Sequence, residues 1–141
     1  MEYLKIKKAN WIFFINKEEA RKLSKEKAGK WMYFFSDIAF ADEICQKAVA
    51  NDIVCEAKYS IEDRDKGVCC FYLNGDDVLG HKKVIQFFLD NQLIQKTKTG
   101  KLHNISFKYN RQTKDGIYGD AFVGEIKLDN FLDLETVEWK K

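Results

Sequence analysis

The sequence predicts a domain of the α+β class, and two observations lead to that prediction. Short runs rich in aromatic and β-branched residues, typical of strands, are separated by longer segments with apolar residues at three- and four-residue spacing, typical of helices. The chain has 141 residues, 45% hydrophobic and 14% aromatic, which is enough to bury one core. We therefore expect a single domain over residues 1–141, with its core over 30–110 and terminal extensions over 1–29 and 111–141.

The N-terminal extension contains one predicted strand and one predicted helix. Trp11–Ile15 is an apolar run of strand length. Lys17–Lys27 is charged and rich in helix-forming residues. Gly29 follows it, and glycine is common just after a helix. We therefore expect the helix to stop there.

The middle of the chain predicts alternating strands and helices. They are the strand Trp31–Phe35, a helix from an N-cap at Ser36 or Asp37 to about Ala50, the strands Ile53–Ser60 and Val68–Leu73, a helix capped within Asn74–Asp77 and ending near Asn91, and the strand Leu102–Tyr109. The first and third strands are apolar on both faces, as in central strands, whereas the second and fourth alternate. This β-α-β-β-α-β order is the ferredoxin-like order, and it predicts that the second and fourth strands are edges.

The C-terminal extension predicts one more strand. A turn over Asn110–Gly116 leads to the strand Ala121–Leu128. Phe131, Leu132 and Leu134 follow and are expected to close one end of the core. The full expectation is thus a ferredoxin-like core with extra N- and C-terminal strands.

Composition excludes several classes of protein. No apolar run approaches the roughly 20 residues of a membrane helix, and the N-terminus has no signal-peptide pattern, so a cytoplasmic protein is expected. The cysteines are expected to be buried free thiols because no C-x-x-C pair is present. They are Cys45, Cys55, Cys69 and Cys70. We expect no metal site and no cofactor.

Charge near the end of the chain is bipolar, although the net charge is only +2. A basic stretch with interleaved rings is a candidate ligand or nucleic-acid site. Its residues are Lys96, Lys98, Lys101, His103, Lys108, Tyr109, Arg111 and Lys114. An acidic region follows and is a candidate surface for a basic partner. Its residues are Asp129, Asp133, Glu135 and Glu138. Either run is also explained as a solvated face.

The third strand of the core carries a partial motif. Lys66 and Gly67 begin the run KGVCCFYL, which resembles the third-strand motif K/R-G-F/Y-G/A-F-V-x-F/Y of the RNA-recognition-motif family. Val68 and Cys70 stand where that family has stacking rings, which removes the base-stacking chemistry. The rings of Trp31, Tyr33 and Phe35 are alternative stacking groups, with core packing as the other explanation.

Catalytic patterns are sparse. His81 and His103 are the two histidines, and their positions suggest a capping or surface role. No phosphate-binding glycine loop, zinc-protease motif or calcium loop is present. We therefore favour a protein that is not an enzyme. A small enzyme acting on a nucleotide or RNA through one of the histidines stays open as an alternative.

The segment from His81 to Trp139, rich in lysine and asparagine and free of proline, resembles small proteins of low-GC Gram-positive bacteria and their phages. The resemblance implies an accessory protein of a mobile element that inhibits a host defence component, by binding a defence protein or its nucleotide signal. A module that binds RNA or single-stranded DNA is the alternative. The partner is expected to be a protein, a nucleotide or a nucleic acid, without a membrane, and a homodimer is possible.

Overall fold

The computed structural model describes residues 2–111 and 126–140. Its elements, in chain order, are β1 (Leu4–Lys8), β2 (Trp11–Ile15), α1 (Lys17–Ala20), β3 (Ala28–Phe35), α2 (Ile38–Ala50), β4 (Glu56–Ser60), β5 (Gly67–Asn74), α3 (Val78–Asp90), β6 (Ser106–Tyr109) and β7 (Ile126–Lys127), followed by a short 3₁₀ turn, Leu128–Asn130. The predicted α+β class is confirmed.

The described strands form one antiparallel sheet in the order β1-β2-β4-β5-β3-β6-β7. β3 and β5 lie in its middle, as their two apolar faces predicted. The prediction that the second and fourth core strands are edges is wrong. The hairpin β1–β2 pairs onto β4, and β7 pairs onto β6, so both strands lie inside the sheet. Apolar and polar residues alternate in any strand with one buried face, whatever its position in the sheet. Alternation therefore did not identify an edge strand.

The N-terminal extension differs most from expectation. β1 was not predicted, because its sequence LKIKK is too polar for an apolar run. The predicted helix Lys17–Lys27 is only one turn, Lys17–Ala20, and Gly29 lies within β3. The chain after α1 is held elsewhere, since the Ser24 N–H donates to Asn74 Oδ1 at 2.8 Å. Tertiary bonding therefore outweighs the helix propensity of this segment.

Gly29 has a packing role in place of the predicted helix stop. A Cβ there would lie 2.5 Å from the Phe107 ring and 2.6 Å from the Lys108 carbonyl oxygen. The glycine thus lets β6 approach β3 closely at this point.

Two other strands are shorter than predicted. β4 begins at Glu56 where Ile53 was expected, and β6 begins at Ser106 where Leu102 was expected. Leu102 makes an isolated bridge with Lys96 instead. Of the predicted strand Ala121–Leu128, Ile126–Lys127 is observed, while 121–125 lies outside the described residues, as does most of the predicted turn over 110–116.

The two long helices begin where their caps were predicted. Asp37 Oδ1 accepts the Ala39 N–H at 3.0 Å, and Asp77 Oδ1 accepts the Gly80 N–H at 2.9 Å. Both helices pack on the same side of the sheet and share one hydrophobic cluster with it. Its largest fully buried members are Trp31, Phe14, Phe71, Phe88, Phe107, Ile44, Ile85, Leu128 and Leu132.

The cysteines carry no disulfide. Cys45, Cys69 and Cys70 are buried, as predicted, whereas Cys55 is only partly buried. Within the described residues, no helix has the length and apolar character needed to cross a membrane.

Candidate functional site

The two faces of the sheet have different chemistry because successive side chains of a strand point to opposite sides. On β3, Trp31 and Phe35 point toward the helices and are buried. Met32 and Phe34 therefore point to the other side, and Phe34 is 68% exposed. The strand registers extend this division across the sheet. We call the side opposite α2 and α3 the Lys58 face.

A cation lies among three aromatic rings on the Lys58 face. Lys58 Nζ is 3.9 Å from the centre of the Trp11 ring, 5.4 Å from that of Phe13 and 5.8 Å from that of Tyr72. The register places Phe13 opposite Lys58, Lys58 opposite Cys70, and Cys70 opposite Met32. This row crosses three strand spacings, about 14 Å. Cys70 is buried in this row, whereas Phe13 and Met32 are partly exposed. The rings of Phe13 and Trp11 are therefore the part of this surface on which a flat ring can stack.

The Lys58 face is also strongly basic. The described strands place one carboxylate, Glu56, and five lysines on it, namely Lys8, Lys30, Lys58, Lys108 and Lys127. The described strands therefore gather more positive than negative charge on this face, and Lys108 among these lysines is buried.

Burial shifts the pKa of two ionisable groups on this face. The pKa of Lys30 is lowered, first by burial and then by the nearby charges of Lys58 and Lys108. Burial raises the pKa of Glu56, although Lys58 opposes the shift. Perturbed groups of this kind cluster at functional sites because both burial and like charge are otherwise unfavourable.

A cleft continues this surface where β3 and β6 separate. β3 runs on to Phe35, yet its register with β6 covers only Gly29 and Lys30. Beyond that point a cavity of about 430 Å³ opens between Met32–Phe34 on one side and His103–Ser106 on the other. Met32 and Phe34 thus belong both to the Lys58 face and to the cleft.

The predicted basic stretch is not one surface. Lys108 lies on the Lys58 face, and His103 lines the cleft. Lys101 instead pairs with Glu135 at 2.9 Å. Tyr109 lies on the helix side, where its ring contacts Phe107, and Arg111 stacks on Tyr109 at 4.2 Å. Lys96 and Lys98 are exposed on the α3–β6 connection, and Lys114 lies outside the described residues.

The predicted acidic partner surface is partly committed to the fold. Asp133 Oδ1 accepts the backbone N–H groups of Glu135 and Thr136 at 2.8 and 3.0 Å. These two hydrogen bonds lower the pKa of Asp133. Glu135 pairs with Lys101, while Asp129 is partly buried and Glu138 is exposed. Two of the four carboxylates therefore stabilise the C-terminal segment.

His81 is a core residue, so its predicted capping or surface position is wrong. Trp31 Nε1 donates to His81 Nδ1 at 3.0 Å, and His81 Nε2 lies 2.8 Å from the Gly75 carbonyl oxygen. The ring is thus neutral with its proton on Nε2, and both nitrogens are engaged. Burial lowers its pKa, against smaller opposing effects of the Gly75 carbonyl, Asp77 and Asp76. It has no nitrogen left for catalysis.

Sequence reasoning missed the rings of the Lys58 face. It considered Trp31, Tyr33 and Phe35, which lie on the helix side. The rings of that face are Trp11 and Phe13 of β2, which are partly buried, and Phe34 of β3, which is exposed. The sequence did indicate that Glu56 and Lys58 share one face of β4. If β2 had been predicted to pair with β4, the residues of β2 on that same face, Trp11 and Phe13, would have been identified.

No protein-family model matches the sequence, and no curated protein is significantly similar to it. Among residues 2–111 and 126–140, no group of three or more histidine, cysteine or acidic side chains is placed to hold a metal ion. The case for a function therefore rests on the geometry of the Lys58 face and its cleft.

Proposed function

We propose that this chain is a binding protein that takes single-stranded nucleic acid, or a nucleotide, on the Lys58 face. The observation that carries the proposal is the Lys58 ammonium held among the rings of Trp11, Phe13 and Tyr72. Rings supply stacking for bases and the lysine supplies charge for phosphate, which is the combination that single-strand binders use.

The binding step follows from the relative sizes of two interactions. A cation–π contact contributes about 0.5–1 kcal/mol when exposed and about 2 kcal/mol when desolvated, and Lys58 and Trp11 are partly buried. Stacking of one base on a ring contributes about 1–3 kcal/mol. In the upper part of that range, a base displaces Lys58 from the Trp11 ring. The released ammonium then contacts the adjacent phosphate, where its charge is better matched.

The ferredoxin-like description belongs with this proposal. The order β4-β5-β3-β6, with α2 and α3 as the two crossovers, supports a ferredoxin-like unit extended by β1–β2 on one side and β7 on the other. RNA-recognition modules use the face opposite the helices of such a unit. Here Trp11 and Phe13, from the added strand β2, take the role that Val68 and Cys70 cannot fill.

We also propose that the chain inhibits a host defence component by binding the nucleotide signal of that component. A chain that retains a nucleotide on the Lys58 face withdraws it from the protein that reads it. The other form, docking of the acidic C-terminal residues on a basic partner, has less support because Asp133 and Glu135 already bond within the chain.

The test is fluorescence anisotropy of a labelled single-stranded oligonucleotide, as RNA and as DNA, at about 50 and 200 mM salt. We expect Trp11→Ala to weaken binding about 5- to 150-fold through the loss of one stacking position. Lys58→Gln should reduce the salt dependence by about one unit of slope. Lys7→Gln is the matched control, since Lys7 lies on β1, two strands from Lys58, and points to the helix side.

Two outcomes would refute the proposal. One is the absence of binding to either oligonucleotide at low salt. The other is equal weakening by Lys58→Gln and Lys7→Gln, which would mean that charge anywhere on the protein is enough and that the Lys58 face has no special role.

A further inference from the structure

The cleft between β3 and β6 has the form of a site for one flat ligand. It opens where the two strands stop pairing, beyond Lys30 of β3 and Lys108 of β6. The resulting cavity, about 430 Å³, has room for a nucleoside and is too small for a folded partner. Phe34, 68% exposed, lies at one wall and offers an aromatic ring for stacking.

The other wall carries uncharged polar groups. Gln95, His103, Asn104 and Ser106 line it, and no carboxylate lies among the lining residues. Within the described parts of the chain, the side chains of Gln95, His103 and Ser106 make no hydrogen bond in the structure. An aromatic wall facing uncharged hydrogen-bonding groups is the arrangement that recognises a base by stacking and by its edge.

Asn104 determines whether the cleft offers a hydrogen-bond donor or an acceptor to the edge of a bound base. Its Oδ1 accepts the backbone N–H of Asp129 at 3.0 Å. Because that donor can pair only with the amide oxygen, the orientation of the amide is fixed. The Nδ2 group is what remains for a ligand, and it only donates. A fixed donor favours a carbonyl oxygen and disfavours an amino group at the same place.

We propose that the cleft binds one nucleobase through a carbonyl edge, and so prefers uracil, thymine or guanine to adenine. The base stacks on Phe34 and accepts a hydrogen bond from Asn104 Nδ2. This inference rests on the proposed function of the Lys58 face, which would carry the neighbouring nucleotides, and it adds a base preference that the Lys58 face alone does not provide.

The test compares oligouridylate with oligoadenylate by anisotropy, and follows uridine and adenosine monophosphates by NMR of the ¹⁵N-labelled protein. We expect the wild type to bind oligouridylate at least about fivefold more tightly. Asn104→Asp keeps an oxygen for the Asp129 N–H but replaces the donor by an acceptor, so the preference should disappear. Asn130→Asp adds the same charge nearby and also keeps its bond, to the Lys127 N–H at 2.8 Å, so the preference should persist.

The outcomes separate this inference from the function on which it rests. Equal affinity for both oligonucleotides, with Trp11→Ala still weakening both, overturns the cleft and leaves the Lys58 face standing. Uridine monophosphate shifting the amides of 103–106 without any oligonucleotide binding supports the cleft and overturns the Lys58 face. An unchanged preference in Asn104→Asp overturns the assigned contact.

Discussion

The two faces of the same sheet treat aromatic residues in opposite ways. On the helix side, Trp31, Phe71 and Phe107 are fully buried, and the buried imidazole of His81 has a partner for each nitrogen. On the Lys58 face, Trp11 and Phe13 are partly buried beside Lys58, Tyr72 is buried, and Phe34 is mostly exposed. Rings inside a core stabilise by packing, whereas exposed rings beside cations add little to stability and are suited to a ligand. The contrast separates the residues that hold the fold from those proposed to bind.

The largest expected effect comes from truncating a ring on each side of β3. Trp31→Ala removes a fully buried indole and should lower the free energy of unfolding by about 3–5 kcal/mol, because a cavity is left behind. Phe34→Ala should change it by no more than about 0.5 kcal/mol. Urea unfolding followed by circular dichroism measures both variants. Similar losses in the two would mean that the faces do not differ as described.

The next effect comes from the two histidines. His81→Leu leaves the Trp31 indole N–H and the Gly75 carbonyl without the partner that each has now. Two buried groups that lose their hydrogen bonds should together lower the free energy of unfolding by about 2–4 kcal/mol. His103 is exposed, so His103→Leu should change it by less than about 0.5 kcal/mol. Equal effects would contradict the buried network.

The central elements were predictable from the sequence because local signals and burial agree there. The caps at Asp37 and Asp77, both long helices and the two central strands follow from side-chain type and spacing. The ends were not predictable in the same way. LKIKK becomes β1 only because β2 offers a free edge, and the helix-like run after Ala20 is held by Asn74, 50 residues away from Ser24 in the sequence. Long-range pairing of this kind leaves no local pattern.

The candidate site was predictable only in its chemistry. Rings and lysines were expected to act together, but the sequence placed them along one basic stretch, where the fold instead disperses Lys101, Tyr109 and Lys108. The Lys58 face combines β2, β4, β5 and β3, which are far apart in sequence. Which strands lie side by side depends on the order of strands in the sheet, and the spacing of residues along the sequence does not predict that order.

The smallest expected effect is a pH dependence near pH 6.5 from the buried His81 on the helix side. Burial holds the pKa of His81 below the ordinary histidine value of 6.5, so the unfolded chain binds a proton at a pH where the folded chain does not. This contribution to stability is present above about pH 6.5 and is lost as the pH falls from there toward the folded pKa.

The wild type should therefore lose more stability between pH 7.5 and 5.5 than His81→Leu does, by less than about 1.4 kcal/mol for each pH unit crossed. Urea unfolding of both proteins at the two pH values gives the difference. Comparing the two proteins removes the carboxylates, which titrate in both. A slope that is the same in both would mean that His81 accepts a proton inside the fold. The hydrogen bond from Trp31 Nε1 would then have to be broken, since a protonated Nδ1 cannot accept it.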